Sequence, residues 1–381
     1  YYTGLAKTKS SKRKAVLEPL FKSGMSNAYQ VSIQSIDSAV LSNIERTDIS
    51  PDENINLALD LLSKYDIDVI IEFILGLPGT KTETFYKEIE LQYTLQHKTK
   101  NRSIQHFPLY VLPDSPLANP SYREKFQIKA APISFEDNES VFINQRYLDL
   151  FNTKDYKLEP SMFIAVSSYS YSIDEWKEMF LMNDMITVLI NMKALTPVID
   201  FLHYIKGMPL NIIFKRIYNA IYKTKELYDV IDKKYLTKIV NGDYTNLSWR
   251  TFEIGPVKGP WSVYGSFYFL WISNIEKLFE NLSQEFSDHQ DDILEDCLLY
   301  TKNSTFGVQE DFIWTSRYRW DVYEENSEKD VLPLREDVVL KNKSNDNYEW
   351  GDLKVTVRNM HTVRAENDAP ILVEYMESTY D

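Results

Sequence analysis

The chain has 381 residues, with 42 Lys+Arg against 56 Asp+Glu and a formal charge of −14. Its 44% hydrophobic residues, with aromatic residues making up 14% of the chain, rule out a disordered chain, and the length allows two or three domains with a sizeable core. The acidic balance argues against a general nucleic-acid binder, and a single cysteine, Cys297, excludes a disulfide framework and any Cys-ligated cluster or zinc held by this segment alone.

The first ~130 residues alternate strand and helix signals, the pattern of a parallel α/β architecture. The stretch Ser11 to Ser23 reads as a helix with Pro19 inside it, a kink site. Ala28 to Ser35 alternates apolar and polar residues like a strand, and Asp37 sits where an N-cap would open a short helix through Leu41 and Ile44. Ser50-Pro51-Asp52-Glu53 is a capping box with proline at the first helical position, and Ile55, Ala58, Leu59 and Leu62 mark an apolar face behind it. Asp68 leads into Val69 to Leu75, a continuous apolar strand of the kind buried on both faces, whose one charge is Glu72. Gly76-Leu77-Pro78-Gly79 ends that strand. Thr80 with Glu83 forms a second capping box, and Phe85, Ile89 and Tyr93 give the next helix its inner face. Ser103 to Leu112 is a further strand, closed by Pro113-Asp114-Ser115-Pro116.

Beyond residue ~130 the texture changes. Ile133 to Tyr156 is acidic and irregular, Met162 to Val166 is a strand candidate, and Ser172 with Glu175 makes a third capping box before Trp176, Met179 and Phe180. Helical spacing then dominates to about Gly242, interrupted at Pro197 and restarted at Pro209. The last part mixes aromatic clusters (Trp249 to Trp271, Phe312 to Trp320) with charged tracts. These observations divide the chain into residues 1–130, a connector at 131–160, and a C-terminal domain at 161–381 that is helical first and mixed α+β later. The most apolar stretch, Met182 to Leu195, is broken by Asn183, Asp184, Asn191 and Lys193 and falls short of the ~20 residues of a membrane span. The reading is of a soluble, cytoplasmic protein. Because the chain starts Tyr1-Tyr2, it is also read as a piece of something longer.

Several residues stand out chemically. Glu72 inside an apolar strand must be paired or face a cavity, so a structural ion pair with lysine or arginine and a ligand-facing role both stay open. Gly76 and Gly79 are two of only 11 glycines, implying positive φ or close approach by a ligand, although a bare β-to-α turn would need them as well. Gln34 offers an amide at a strand's end, and Arg46 a guanidinium that could fork a carboxylate or simply complement a helix C-terminus. The five histidines are scattered without ligand spacing, so no metal site is assigned. Cys297 reads as a packed small hydrophobe.

Taken together, Val31-Ser32-Ile33-Gln34-Ser35, Leu41, Arg46, Glu72 to Gly79, Glu83-Thr84-Phe85 and Leu109 to Pro116 resemble the radical S-adenosylmethionine (SAM) enzymes, most closely the cobalamin-binding subgroup. The resemblance covers residues 1 to about 130 and is faint over 162 to 184. It implies the second half of a (β/α)6 partial TIM barrel followed by a mainly helical α+β accessory domain that covers the active-site mouth. It further implies that Gln34 touches the SAM ribose, Arg46 fixes the methionyl carboxylate and Glu72 faces the nucleoside. By the same resemblance the turn from Gly76 shapes the pocket wall, backbone near Val111 and Leu112 meets the adenine, and Lys7, after a strand at Tyr2 to Ala6, presents another polar side chain. The Cys-x-x-x-Cys-x-x-Cys loop of the [4Fe–4S] cluster and the cobalamin domain are not in this chain, as expected of a segment cut before the third strand. The implied activity is radical modification, as by a cobalamin-dependent methyltransferase, of a peptide or small metabolite, with no nucleic-acid or membrane partner and no catalytic residue assigned. The alternatives are an ordinary TIM-type barrel using Glu72 as acid or base, and a non-catalytic binding protein on a barrel scaffold.

Overall fold

The computed structural model describes residues 10–46, 50–65, 67–96, 105–113, 115–133, 149–151, 162–191, 194–243, 263–304, 312–316 and 351–355. The expected strand at Tyr2 to Ala6, Lys7 and most of the acidic connector lie outside the described residues. By Cα proximity the chain forms two units, Tyr1–Asn183 with Lys233–Leu247, and Asp184–Asp232 with Ser248–Asp381. The expected division at the 131–160 connector follows a change of composition, whereas this one is a division of spatial grouping.

In the first unit, α1 (Ser10–Lys22, with Pro19 inside) precedes β1 (Ala28–Gln34), α2 (Ser38–Asn43), α3 (Pro51–Lys64), β2 (Asp68–Leu75), α4 (Thr82–Gln96) and β3 (Gln105–Pro108). The three strands form one parallel sheet in the order β1-β2-β3, with Tyr29 opposite Val69 and Phe73 opposite His106. Local chemistry starts the helices where the sequence signals it. The Asp37 carboxylate accepts from the Ala39 and Val40 amides, and the Ser50 hydroxyl accepts from Glu53 N–H. α4 begins at Thr82, with Glu83 in its first turn, rather than directly after Thr80.

One face of the sheet is sealed by helices. Tyr29, Val31, Ile33, Val69, Ile71 and Phe73 pack with Leu17 and Phe21 of α1 and with Leu57, Ala58 and Leu61 of α3. Phe85 and Ile89 of α4 are fully buried and Tyr93 nearly so. The opposite face carries Gln30, Ser32, Ile70, Glu72 and Ile74, each half-buried. β2 is therefore not buried on both faces as its apolar run suggested, because its burial alternates strictly along all eight residues. The inner face of α3 also differs from expectation. Asn54, Leu57, Ala58 and Leu61 point inward, while Ile55, Leu59 and Leu62 are half-buried at its margin. Asn54 is drawn in by the buried Arg13 of α1, whose guanidinium also donates to the Tyr29 hydroxyl at 3.3 Å.

The expected strand from Ser103 to Leu112 divides at Leu109. Its N–H bonds Leu75 O at 3.1 Å in the parallel sheet, while its carbonyl accepts from Ala165 N–H at 3.0 Å. Tyr110–Val111 is thus β4 of a second sheet, antiparallel, in the order β4-β6-β5, with β5 at Lys129–Ile133 and β6 at Met162–Ser167. Residues 131–133, assigned by composition to the connector, belong to β5. Between β4 and β5 lies α5 (Pro120–Lys125), and β6 is followed by α6 (Ile173–Ile186), opened by a reciprocal capping box. Ser172 N–H donates to Glu175 at 2.8 Å, and Glu175 N–H to the Ser172 hydroxyl at 3.2 Å. From α6, the Asn183 side chain bonds both backbone groups of His106 on edge strand β3, accepting at 3.3 Å and donating at 3.1 Å.

Among its described residues the second unit is helical apart from an antiparallel pair, Phe312–Ser316 with Gly351–Val355. Its helices include Leu210–Lys223, Val263–Ser273, Ile275–Glu285 and Asp292–Ser304. The first packs on the third, and Leu210, Ile213, Phe214, Ile217 and Ile221 of the one and Leu278 and Leu282 of the other are fully buried. At its margin Arg216 forks Asp288, with Nη2 to Oδ2 at 2.8 Å, and donates to Glu285 O at 2.8 Å. Among the described residues no helix is long and apolar enough to cross a membrane.

Candidate functional site

Parallel strands send all their following loops from one edge of the sheet, the edge at which open α/β folds place ligands. In this chain that edge carries the Gln34–Asp37 turn after β1 and the Gly76–Gly79 turn after β2. The half-buried face below it carries Glu72.

Glu72 stands opposite Ser32 in the parallel register. The Ser32 hydroxyl donates to Oε2, and the Gln30 amide, one same-face position earlier, donates to Oε1. Among the described residues no lysine or arginine pairs with Glu72. Among the described residues two neutral donors from the neighbouring strand hold the carboxylate in place on the half-buried face.

Gln34 ends β1 at a bulge. The register passes from Ser32 opposite Glu72 directly to Gln34 opposite Phe73, and Gln34 has φ of 73°. Two other described non-glycine residues have positive φ, Glu45 and Gln127. Both follow short helices and are stabilised by the usual C-terminal bonds, Arg46 N–H to Leu41 O and Ile128 N–H to Arg123 O, each 2.8 Å. Gln34 instead ends a strand, where its left-handed conformation belongs to the bulge. Such a conformation at a side chain costs about 1–3 kcal/mol, and residues of this kind cluster at functional sites.

The Gly76–Gly79 turn is shaped by the chain itself. Both glycines have positive φ, 91° and 103°. The Tyr171 hydroxyl donates to Gly76 O at 2.5 Å, Gly79 N–H donates to the Ser170 hydroxyl at 2.9 Å, and Asn43 Nδ2 donates to Pro78 O at 2.9 Å. Burial pushes the Tyr171 phenol far above its ordinary pKa, so it remains a neutral donor. A Cβ on Gly79 would lie 2.8 Å from Asn43 Nδ2, and one on Gly76 3.0 Å from the Tyr171 hydroxyl. Close packing of the turn against α2 and the loop after β6 is enough to require glycine at both positions.

The remaining predicted residues belong to other elements. Arg46 is half-buried beyond the C-terminus of α2, where its N–H closes the helix. Val111 stands opposite Phe163 in the antiparallel sheet, its side chain wholly buried with Val40, Leu77, Leu109 and Phe163, while Leu112 is 52% exposed. Only the Val111 backbone could therefore meet a ligand. Lys7 lies outside the described residues. Gln34, Glu72 and Gly76 are thus gathered on neighbouring strands and the turns beyond them, whereas Val111 and Leu112 belong to the second sheet.

Sequence reasoning missed Gln30 and Ser32, although their polar alternation with Gln34 along β1 was visible. It also missed Asn43, Ser170 and Tyr171, and Glu88 on the inner face of α4, which is buried and accepts from the Ser35 hydroxyl at 2.6 Å and Ile36 N–H at 3.0 Å. Among the described residues no group of three or more His, Cys, Asp or Glu is arranged to hold a metal ion. Cys297 is fully buried, and its burial raises the thiol pKa. No family model matches the chain, and no curated protein matches it in sequence.

Proposed function

We propose that this chain is the C-terminal part of a radical SAM enzyme, and that the C-terminal edge of its parallel sheet shapes one side of the SAM pocket. The observation that carries the reading is the bulged Gln34, a left-handed non-glycine residue at the end of a parallel strand. Its position at the end of a parallel strand, beside the strand that bears Glu72, is the arrangement the resemblance assigns to ribose and nucleoside contacts. The donor set suits that ligand. A carboxylate accepts from ribose hydroxyls, an amide can both donate and accept, and the fixed Gln30–Ser32–Glu72 row presents these groups without rearrangement. In this reading the three strands are the fourth to sixth of a partial (β/α) barrel.

The described residues supply no ligands for a [4Fe–4S] cluster, since the sole cysteine is buried in a helix. The reading therefore assigns the cluster and the cobalamin domain to parts of the protein outside this chain. Bound beside a reduced cluster, SAM supplies a carbon radical for attack on an unactivated C–H bond. The residues of this chain bind and orient: Glu72 and Gln34 take the nucleoside, and Arg46 takes the methionyl carboxylate. A peptide or small metabolite is the proposed substrate, and cobalamin-dependent methylation the proposed outcome. Because each Glu72 oxygen already accepts one bond, the arrangement suits a fixed ligand contact better than the proton shuttle of an ordinary barrel enzyme.

The test is made on the full-length protein, purified anaerobically and reconstituted with iron and sulfide. SAM binding by calorimetry and 5′-deoxyadenosine release on reduction are both expected, with Arg46→Lys weakening SAM about tenfold, the equivalent of one lost charge-assisted bond of about 1.4 kcal/mol. A reconstituted protein that takes up no cluster and binds no SAM ends the proposal.

A further inference from the structure

We infer that Glu88 is a positioning residue, which reaches through from the sealed side of the sheet to hold the Gln34–Ser35–Ile36 turn in its ligand-presenting conformation. The inference rests on the reading of Gln34 as a ligand contact and extends it to a residue that touches no ligand.

Glu88 lies on the inner face of α4, among Phe85, Ile89 and Tyr93, and is 1% exposed. An aliphatic residue would serve helix–sheet packing there without the desolvation a carboxylate carries. Its oxygens have definite tasks. Oε1 accepts from both the Ser35 hydroxyl and Ile36 N–H, the two groups that follow Gln34. The Ser35 hydroxyl in turn accepts from Asp37 N–H at 3.2 Å, so the whole turn from bulge to helix cap hangs on one carboxylate. Oε2 faces His106 Nε2 at 3.4 Å. The His106 ring is stacked on Phe73 and edge-on to Phe85, both at 5.1 Å between centroids, and its backbone is held by Asn183. The anchor is thereby itself anchored.

Left-handed Gln34 would otherwise relax toward the extended conformation of the strand it ends. Relaxation would move Ser35 and Ile36 and leave the buried Ser35 hydroxyl and the part-buried Ile36 N–H without their acceptor. Glu88 makes that relaxation unfavourable, and the bulge keeps the Gln34 amide where β1 alone would not place it.

A double-mutant cycle on SAM affinity in the reconstituted full-length protein tests this. Glu88→Ala is expected to weaken SAM about tenfold, and Glu88→Gln, which keeps an acceptor toward Ser35 and Ile36, to restore it to within about threefold. In a Gln34→Ala background Glu88→Ala is expected to change affinity by less than about twofold, because the side chain it positions is gone. Should Glu88→Ala fail to fold, Ser35→Ala removes one of the two bonds while retaining the carboxylate and takes its place in the cycle. An equal loss in both backgrounds, or no loss in the parent background, overturns the positioning role while leaving SAM binding standing. A parent protein that binds no SAM overturns the functional reading and this role together.

Discussion

Replacing Gly79 with alanine separates two reasons for which a turn can demand glycine. Gly24, which follows α1, has φ of 71° and nothing within 4 Å of an added Cβ. Gly24→Ala thus meets only the left-handed backbone penalty, about 1 kcal/mol. Gly79 has φ of 103°, and its Cβ would press on Asn43 Nδ2 at 2.8 Å, with the Tyr169 hydroxyl and Val40 Cγ2 at 3.3 Å. Asn43 cannot swing aside without giving up its bonds to Pro78 O at 2.9 Å and the Tyr169 hydroxyl at 3.0 Å. At about 1 kcal/mol for each bond, Gly79→Ala is expected to lose about 3 kcal/mol, roughly three times the Gly24 value. Urea unfolding of the two variants beside the parent, at equal m-value, measures the difference. If Gly79→Ala is no more destabilising than Gly24→Ala, then Asn43 packing is not what excludes a side chain there, and ligand approach becomes the remaining reason for glycine.

Two further outcomes follow from the cap and ion-pair geometry. In the second unit Arg216 beside Asp288 holds that carboxyl down at about 2, below its ordinary value. A pKa lowered on folding contributes stability above the ordinary carboxylate range and loses it as pH falls from about 4 toward 2, so Asp288→Asn should flatten the pH dependence of unfolding in that window and leave it unchanged near neutrality; an identical acid limb in parent and variant would refute the pairing. Ser172→Ala removes one side of a reciprocal capping box and should destabilise by about 1 kcal/mol in thermal or urea unfolding, with a value near zero contradicting the observed cap.

Features fixed within a few residues were legible in the sequence. The Asp37, Ser50 and Ser172 caps, the strands β1 and β2, the left-handed glycines at 76 and 79 and the buried row Phe85–Ile89–Tyr93 all depend on local spacing. Features set by distant partners were not. The inner face of α3 turns on Asn54, which enters the core because Arg13 on another helix draws it there. The break at Leu109 exists because one residue bonds Leu75 on one side and Ala165 on the other. The polar pattern of the candidate site was half visible: Gln34 and Glu72 stood out as polar groups in strand context, but nothing in the local sequence of α4 marks Glu88. Its task appears only when Ser35 and Ile36, more than fifty positions away, fold over it.

The pairing of Asn183 with His106 has a consequence for how this protein behaves among its own copies. Among the described residues β3 borders the parallel sheet, and a border strand ordinarily offers its amides and carbonyls to any extended segment that drifts past. At His106 both groups are already taken by one side-chain amide, which mimics a neighbouring strand for the span of a single residue. An intruding chain would have to evict that amide before adding itself to the sheet, so α6 guards against fibrous self-association at the point where the sheet would otherwise be open.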